Sequence, residues 1–438
     1  MAENLEHLFQ GFSKLSREER LSRLKSMANL SDHDLAVLEG KEPFDLNLAE
    51  NFIENVVGFF PMPLGIAAYF NIDGRDLPIP MAVEETSIVA AASASAKWIK
   101  SMDGQVTTST LGRYIIGQVQ FPCVSDPKRV EKILDENREL LLTRANEAVP
   151  GLVKRGGGVE ELRLRCIPRP EGGDMLVLHI LCDPCDAMGA NLINQVCEAL
   201  KPLLEKLTGE QVGLCILSNL VDTKLTRAEV RIPNIDPIVG LGIEEASIFA
   251  ELDPYRAATH NKGVLNGIDP IVIATGNDWR AVEAGVHAYA AKSGTYRPIS
   301  TWRVEGGDLV GRLEAPLVVG SVGGVTQLHP TAKVCMRILG VKDAQDLSRI
   351  MGAVGLVQNL GALRALSTVG IVNGHMALHA SNLAIAAGAE PSEMQLMKEK
   401  LHQLIQKEKR ITLTRAREVL ERLRGAQHHG GDSPIITR

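Results

Sequence analysis

The sequence predicts an α+β fold, a large helix-rich unit into which a smaller βαββαβ unit is inserted. Three observations carry this. Between residues 113 and 232, short apolar runs with period-two alternation are separated by two helical stretches. On either side the chain is richer in Ala and Gly and has apolar residues at helical spacing. The 438 residues, 45% hydrophobic and 23% charged, are enough for two to three globular domains.

In chain order, Ser16-Arg17-Glu18-Glu19 is a capping box, with Leu21, Leu24 and Met27 following at helical spacing. Ser31 caps a second short helix that stops at Gly40. Ser87 to Lys100 reads as a helix. Tyr114 to Phe121 alternates as a strand, and Ser125-Asp126-Pro127 opens a helix to about Glu147. Leu162 to Cys166 and Met175 to Leu181 are strands, Asp186 to about Leu207 is helical, and Gln211 to Leu217 and Thr226 to Ile232 are strands. This order is the ferredoxin-like pattern, so residues 113–232 form the small domain and 1–112 with 233–374 the large one. Pro270 to Ala274 reads as a buried strand, followed by a helix from Trp279 to Lys292. Residues 375–438 are a helical C-terminal segment, with a disordered tail from His428.

Composition excludes several functions. A net charge of −6 with 4% aromatics offers neither a basic stripe nor stacking platforms for nucleic acid. Seven cysteines in a long chain read as a reduced, cytoplasmic protein. The first residues are mixed polar, which excludes a secretory signal, and no apolar run reaches the length of a membrane span.

The motifs narrow the chemistry further. There is no Walker A loop and no GxSxG elbow, and Gly240-Leu241-Gly242 has Glu245 where a Rossmann fingerprint needs glycine. Asp186-Ala187-Met188-Gly189-Ala190-Asn191 lies between a strand and a helix. It is either an Asp cap with small packing residues or a helix N-terminus offering amides to a phosphate or ribose. Cys182-Asp183-Pro184-Cys185 lacks two further zinc ligands, and the His375/His379 pair has Met376 where a zincin has Glu, so no metal is expected. His375 follows Gly374 at a helix start; it is either a surface histidine or an exposed acid or base. Glu84 and Glu85 precede a helix, as dipole-favoured caps or as a pair with one acid protonated. Asp253 to Asp269 is the densest polar cluster. Lys262, between Asn261 and Gly263, reads as a turn lysine, and Asp278 caps the next helix and stays ionised. A charged, oriented lysine is an oxyanion stabiliser.

Taken in order, Glu54-Asn55-Val56-Val57-Gly58, Val83-Glu84-Glu85, Asp186 to Gly189, Arg256 to Asp269, Gly276-Asn277-Asp278-Trp279 and Gly374-His375-Met376 resemble the 3-hydroxy-3-methylglutaryl-coenzyme A (HMG-CoA) reductase family, class II, over residues 45–385. The resemblance implies a four-electron reduction of HMG-CoA to mevalonate and CoA by two NADPH or NADH. It implies Glu85 as proton donor, Lys262 as oxyanion stabiliser, Asp278 as the group ordering that lysine and His375 as the acid for the departing thiolate. It places Ser87, Arg256, Thr259 and Asn266 on the hydroxymethylglutaryl group, and Asp186, Met188, Gly189, Asn191 and Asn219 on the cofactor. It also implies a homodimer with shared active sites and a C-terminal flap. Two positions depart from the family pattern. Ser381 stands where an Arg often follows, and Val149 stands where NADH-specific relatives carry Asp, which permits NADPH, with Arg144, Lys154 and Arg155 nearby and Glu147 as a possible substitute acid. Two other functions compete: an inert acyl-CoA-binding homologue, which would lose Lys262, Asp278 or Glu85 first, and an acylating aldehyde dehydrogenase, which needs a nucleophilic cysteine in a polar site, whereas Cys335 and Cys215 sit in apolar strings.

Overall fold

The computed structural model describes residues 6–42, 45–367, 380, 383–408 and 412–428. Helices α1 (Arg17–Ala28) and α2 (Asp32–Glu39) precede β1 (Leu64–Ile72), β2 (Arg75–Ala82), α3 (Ile88–Ser101) and β3 (Gln105–Gly112). Next come β4 (Ile115–Val124), α4 (Pro127–Glu136), α5 (Arg138–Glu147), β5 (Gly158–Pro168), β6 (Asp174–Asp183), α6 (Ala190–Thr208) and β7 (Cys215–Ser218). Strand β8 (Lys224–Ile232) leads to α7 (Pro237–Leu252), α8 (Pro254–Ala274), α9 (Trp279–Ala290), β9 (Ser300–Glu305), β10 (Asp308–Ala315), α10 (Pro330–Leu339) and α11 (Ala344–Ser367). Helices α12 (Met394–Glu408) and α13 (Leu413–His428) follow.

Both N-terminal capping boxes form. Glu19 N donates to Ser16 Oγ while Ser16 N donates to Glu19 Oε2, and Ser31 pairs with Asp34 in the same way. This arm packs on α10 through Leu24, Leu30, Val334 and Ile338. The small antiparallel sheet has the order β5-β6-β4-β7, which puts the first and third strands of a βαββαβ unit at its centre. Val119, Phe121, Leu178 and Ile180 of this sheet share a core with Leu134, Leu141, Val196 and Leu200 from α4, α5 and α6. The larger core lies between the β1–β2 hairpin, α3, α8, α11 and the sheet β3-β8-β10-β9.

Several elements differ from expectation. Strand β8, placed at the end of the small unit by the alternation of 226–232, pairs with β3 and β10 in the other sheet. Alternation identifies a strand but not its neighbour. Residues 270–274 are the last turns of α8, not a strand. Ile271 and Val272 are fully enclosed, and an apolar run buried on every side loses the periodicity that separates helix from strand. Lys262 accordingly stands mid-helix rather than in a turn. The helix expected over 125–147 divides at Asn137 into α4 and α5. Helix α11 does have the length and apolarity of a membrane span, contrary to the reading that no stretch reaches it. However, 67% of the relevant window is buried within the fold, as in a core helix.

Candidate active site

Arg256, Thr259, Lys262 and Asn266 recur at spacings of three, three and four along α8, which puts them on one face. The opposite face is pinned. His260 and Asn261 are 1% and 0% exposed. Asn261 accepts from Ile299 N at 3.0 Å and donates to Arg297 O at 3.0 Å. His260 Nε2 meets Ser300 Oγ at 2.7 Å, and Ser300 and the Trp302 indole both donate to Asn359 Oδ1. Because the Ser300 hydroxyl proton goes to Asn359, His260 Nε2 is the donor, and its Nδ1 is left a buried acceptor without a partner. Burial pushes His260 down to about 4, so it is neutral. The turn carrying Lys262 is thus fixed by neighbours that face the other way.

Lys262 Nζ donates to Glu85 Oε2 at 3.2 Å, with side chains 62% and 47% exposed. Glu85 lies between β2 and α3, just before Ser87, the N-cap of α3, whose φ of 81° is a left-handed conformation uncommon for a residue with a Cβ. Arg256 is half-buried, and desolvation lowers its pKa. Among the described residues its guanidinium has no hydrogen-bond or ion-pair partner. A desolvated, unpaired guanidinium is a ready carboxylate site. Thr259 is exposed at its side, and its hydroxyl donates to Tyr255 O at 3.5 Å. Asn266 is half-buried.

Asp278 caps α9, accepting from Arg280 N at 3.0 Å and Ala281 N at 3.2 Å, and pairs with the Arg280 guanidinium at 3.1 Å. The structure therefore joins Lys262 to Glu85 and gives Asp278 to Arg280, rather than making the expected Asp278–Lys262 contact. His375 and Ser381 lie outside the described residues.

The loop before α6 holds the expected cofactor residues. Asp186 caps a helix other than α6: its Oδ1 accepts the Ala344 N–H at the start of α11 at 3.1 Å, and its carbonyl accepts from Ser321 N at 2.9 Å. Gly189 has φ 92°, and a Cβ there would lie 2.4 Å from Ile115 Cδ1 and 2.8 Å from Pro184 Cβ. Helix α6 has no side-chain cap, and Asn191 is exposed in its first turn. Met188 is half-buried beside Gly320, where a Cβ would come within 2.7 Å of Met188 N. Gly320 N also donates to Asn277 Oδ1 at 2.8 Å. Asn219 is exposed after β7, and its carbonyl approaches Gly285 on α9.

Gly320 and Ser321, which tie the Asp186 loop to the Asn277-Asp278 turn, were not found by sequence reading. Their signal was the unassigned glycine run 320–324. Val149 is 3% exposed in the small core, so an acid at that site would be desolvated. Burial pushes the Cys182 and Cys335 thiols up to about 12 and also raises Cys215, which disfavours the thiolate at all three. An acylating dehydrogenase finds no nucleophile in them. Among the described residues, no cluster of His, Cys, Asp and Glu is placed to hold a metal.

A cation facing an acid on a helix flank can stabilise negative charge that develops on a substrate oxygen. The comparisons agree. The model of the hydroxymethylglutaryl-coenzyme A reductase family matches residues 16–380. The 3-hydroxy-3-methylglutaryl-coenzyme A reductase of Archaeoglobus fulgidus is 46% identical over 420 residues, 94% of each chain. A probable reductase of the same name from Borreliella burgdorferi is 33% identical over 87% of this chain and 89% of its own. The Streptococcus pneumoniae reductase superposes with a TM-score of 0.80 at 40% identity, covering 95% of this chain and 99% of that one. A class II structure from the same organism, bound to NADPH in open conformations, gives 0.78 at 41% identity, covering 82% of this chain and 100% of its own. The chain belongs to the hydroxymethylglutaryl-coenzyme A reductase family.

Proposed function

We propose that this chain reduces HMG-CoA to mevalonate and free CoA, consuming two reduced nicotinamides. The observation that carries the reading is the Lys262–Glu85 contact on the same face of α8 as the unpaired Arg256. When bound, the dinucleotide supplies hydride. Reduction of a thioester or an aldehyde puts negative charge on oxygen, which a fixed ammonium stabilises, and Lys262 is that ammonium. Glu85, touching it, donates the proton to the same oxygen. Arg256 holds the substrate carboxylate, with Ser87, Thr259 and Asn266 around it. Asp278 fixes the start of α9 beside this face, and His375 protonates the departing thiolate.

The cofactor residues fit a dinucleotide. Gly189 is a place where a Cβ would clash, and the first-turn amides of α6 carry no side-chain cap, so they suit a phosphate. Asp186, Met188, Gly189, Asn191 and Asn219 would line it. The relative bound to NADPH supports NADPH as a cofactor. We also propose a cytoplasmic homodimer, with β4 to β7, residues 115–218, as the cofactor domain and 375–438 as a flap. Val57, Phe60, Ile238, Leu252 and Tyr255 are exposed from 78% to 103%, apolar side chains that a second copy would cover. Tyr255 is the chain neighbour of Arg256.

Following free thiol and nicotinamide absorbance together tests the activity. Two nicotinamides oxidised per CoA released is expected. One per CoA, with aldehyde accumulating, rejects it.

A further inference from the structure

Lys224 opens β8, where the chain leaves the small sheet. It is 7% exposed, and a lysine so enclosed is ordinarily paired. Among the described residues it makes no ion pair and no side-chain hydrogen bond. The groups facing it are Asp183, Asp186 and the Cys185 thiol, all on the loop before α6.

Both carboxylates are engaged elsewhere. Asp183 Oδ1 accepts from Cys185 N at 2.8 Å, and its Oδ2 lies 3.5 Å from Arg113 Nε. Asp186 Oδ1 is taken by Ala344 N. Burial also disfavours the lysine's charge. The ammonium therefore carries positive charge toward the loop that the protein leaves uncompensated at short range.

The backbone that carries the lysine is held in place. Gly112 is its partner across β3 and β8. A Cβ on Gly112, at φ 72°, would lie 2.1 Å from Thr223 O. Thr223 Oγ1 donates to Tyr114 O at 2.6 Å, and Tyr114 N donates to Thr223 O at 3.4 Å. This crossing fixes the backbone beside Lys224. The 19-residue helix α6 begins on the same loop at Gly189 with no side-chain cap. An uncapped helix end and an enclosed, unpaired cation beside one loop are complementary to an anion.

We propose that Lys224 is a cofactor-binding residue whose ammonium takes a phosphate group of the reduced dinucleotide at the start of α6. The proposal rests on the reading that the 186–191 loop binds that dinucleotide. An incoming phosphate supplies the counter-charge that the loop does not.

Calorimetric titration of the full chain with NADPH, and separately with HMG-CoA, tests it. Lys224→Met should bind NADPH about ten-fold or more weaker, while HMG-CoA affinity stays unchanged. Asn191→Ala serves as the control for the loop. Asn191→Ala weakened with Lys224→Met unaffected overturns the lysine assignment alone. Asn191→Ala unaffected overturns the loop reading and the lysine with it. Should Lys224→Met not fold, Lys224→Gln decides, because NADPH binding at wild-type strength without the charge overturns the proposal.

Discussion

Lys262 stands on the open face of α8 with 62% of its side chain exposed and a carboxylate at 3.2 Å, whereas Lys224 is enclosed at the start of β8 with no ion pair among the described residues. The two surroundings suit different tasks. An exposed cation beside an acid can meet a substrate oxygen and exchange a proton with its partner. An enclosed cation is held in one place and is completed only by a ligand. The regions also achieve rigidity differently. The turn of α8 is held from behind by the side chains of His260 and Asn261, both buried. The loop before α6 is held by contacts with remote parts of the chain, at Ala344, Ser321 and Gly320.

The largest effect is expected from removing the exposed cation. Lys262→Ala should lower kcat on the order of 100- to 1,000-fold with both HMG-CoA and free mevaldehyde, because both steps charge the same oxygen. His375→Gln should lose HMG-CoA reduction and largely keep mevaldehyde reduction, since the aldehyde has no thiolate to release. Equal loss on both substrates would remove the thiolate role. Steady-state rates with each substrate measure both variants.

Asn261→Ala should have a smaller effect, about ten-fold in kcat, with KM for NADPH unchanged. It frees the Ile299 N–H and the Arg297 carbonyl, which costs about 2–3 kcal/mol of stability, and it loosens the turn that aims Lys262. In a Lys262→Ala background it should lower the rate no further. Additive losses would mean that Asn261 serves the fold alone.

Parts of this comparison were legible in sequence. The capping box at Ser16 is local, and the structure forms it as read. Glu85 and Lys262 were named from their settings and the structure brings them together, although Lys262 was placed in a turn. Gly263 explains that error: it suggested a turn, but it is helical and its side faces open space. What sequence left hidden is non-local. Asp186 reads either as a cap for its own helix or as part of an amide site, and its side-chain partner is Ala344, 158 residues away. Nothing near Lys224 in sequence says that it is buried, because its enclosure comes from β3 and the loop before α6. Residues 270–274 were misassigned because complete burial removes the polar positions that reveal helical period.

A moderate effect should appear in stability against pH. Asp269 near the end of α8 faces Glu283 on α9, and burial with that neighbouring carboxyl pushes it up to about 8. The folded state thus keeps a proton that the unfolded chain, with the ordinary value of 3.8, gives up. Below about pH 4 both states are protonated and stability is full. As pH rises from there to about 8, stability falls, and it levels off above. Asp269→Asn keeps a donor for Glu283 without titrating. Its Tm should match the wild type near pH 4 and exceed it by several degrees near pH 9. Parallel melting curves across that window would show that the carboxyl pair is not protonated.

The smallest shift should come from the Lys262–Glu85 contact itself, read as stability. Both side chains are about half exposed or more, so water and salt screen their attraction. Such pairs contribute about 0–1 kcal/mol, and holding two long side chains in one geometry offsets part of that. Glu85→Gln should therefore leave Tm within about 2 °C of the wild type while removing the acid that the reaction uses. Asn261→Ala should show the reverse balance, a clear loss of Tm with a modest loss of rate. If Glu85→Gln melts well below Asn261→Ala, the exposed pair is a structural tie, and the division between an open chemical face and a buried anchoring face on α8 is wrong. Raising salt sharpens the test. It should weaken the exposed contact in the wild type and in Asn261→Ala, leave Glu85→Gln, which lacks the ion pair, the least affected, and change the Tm of all three only slightly on this account.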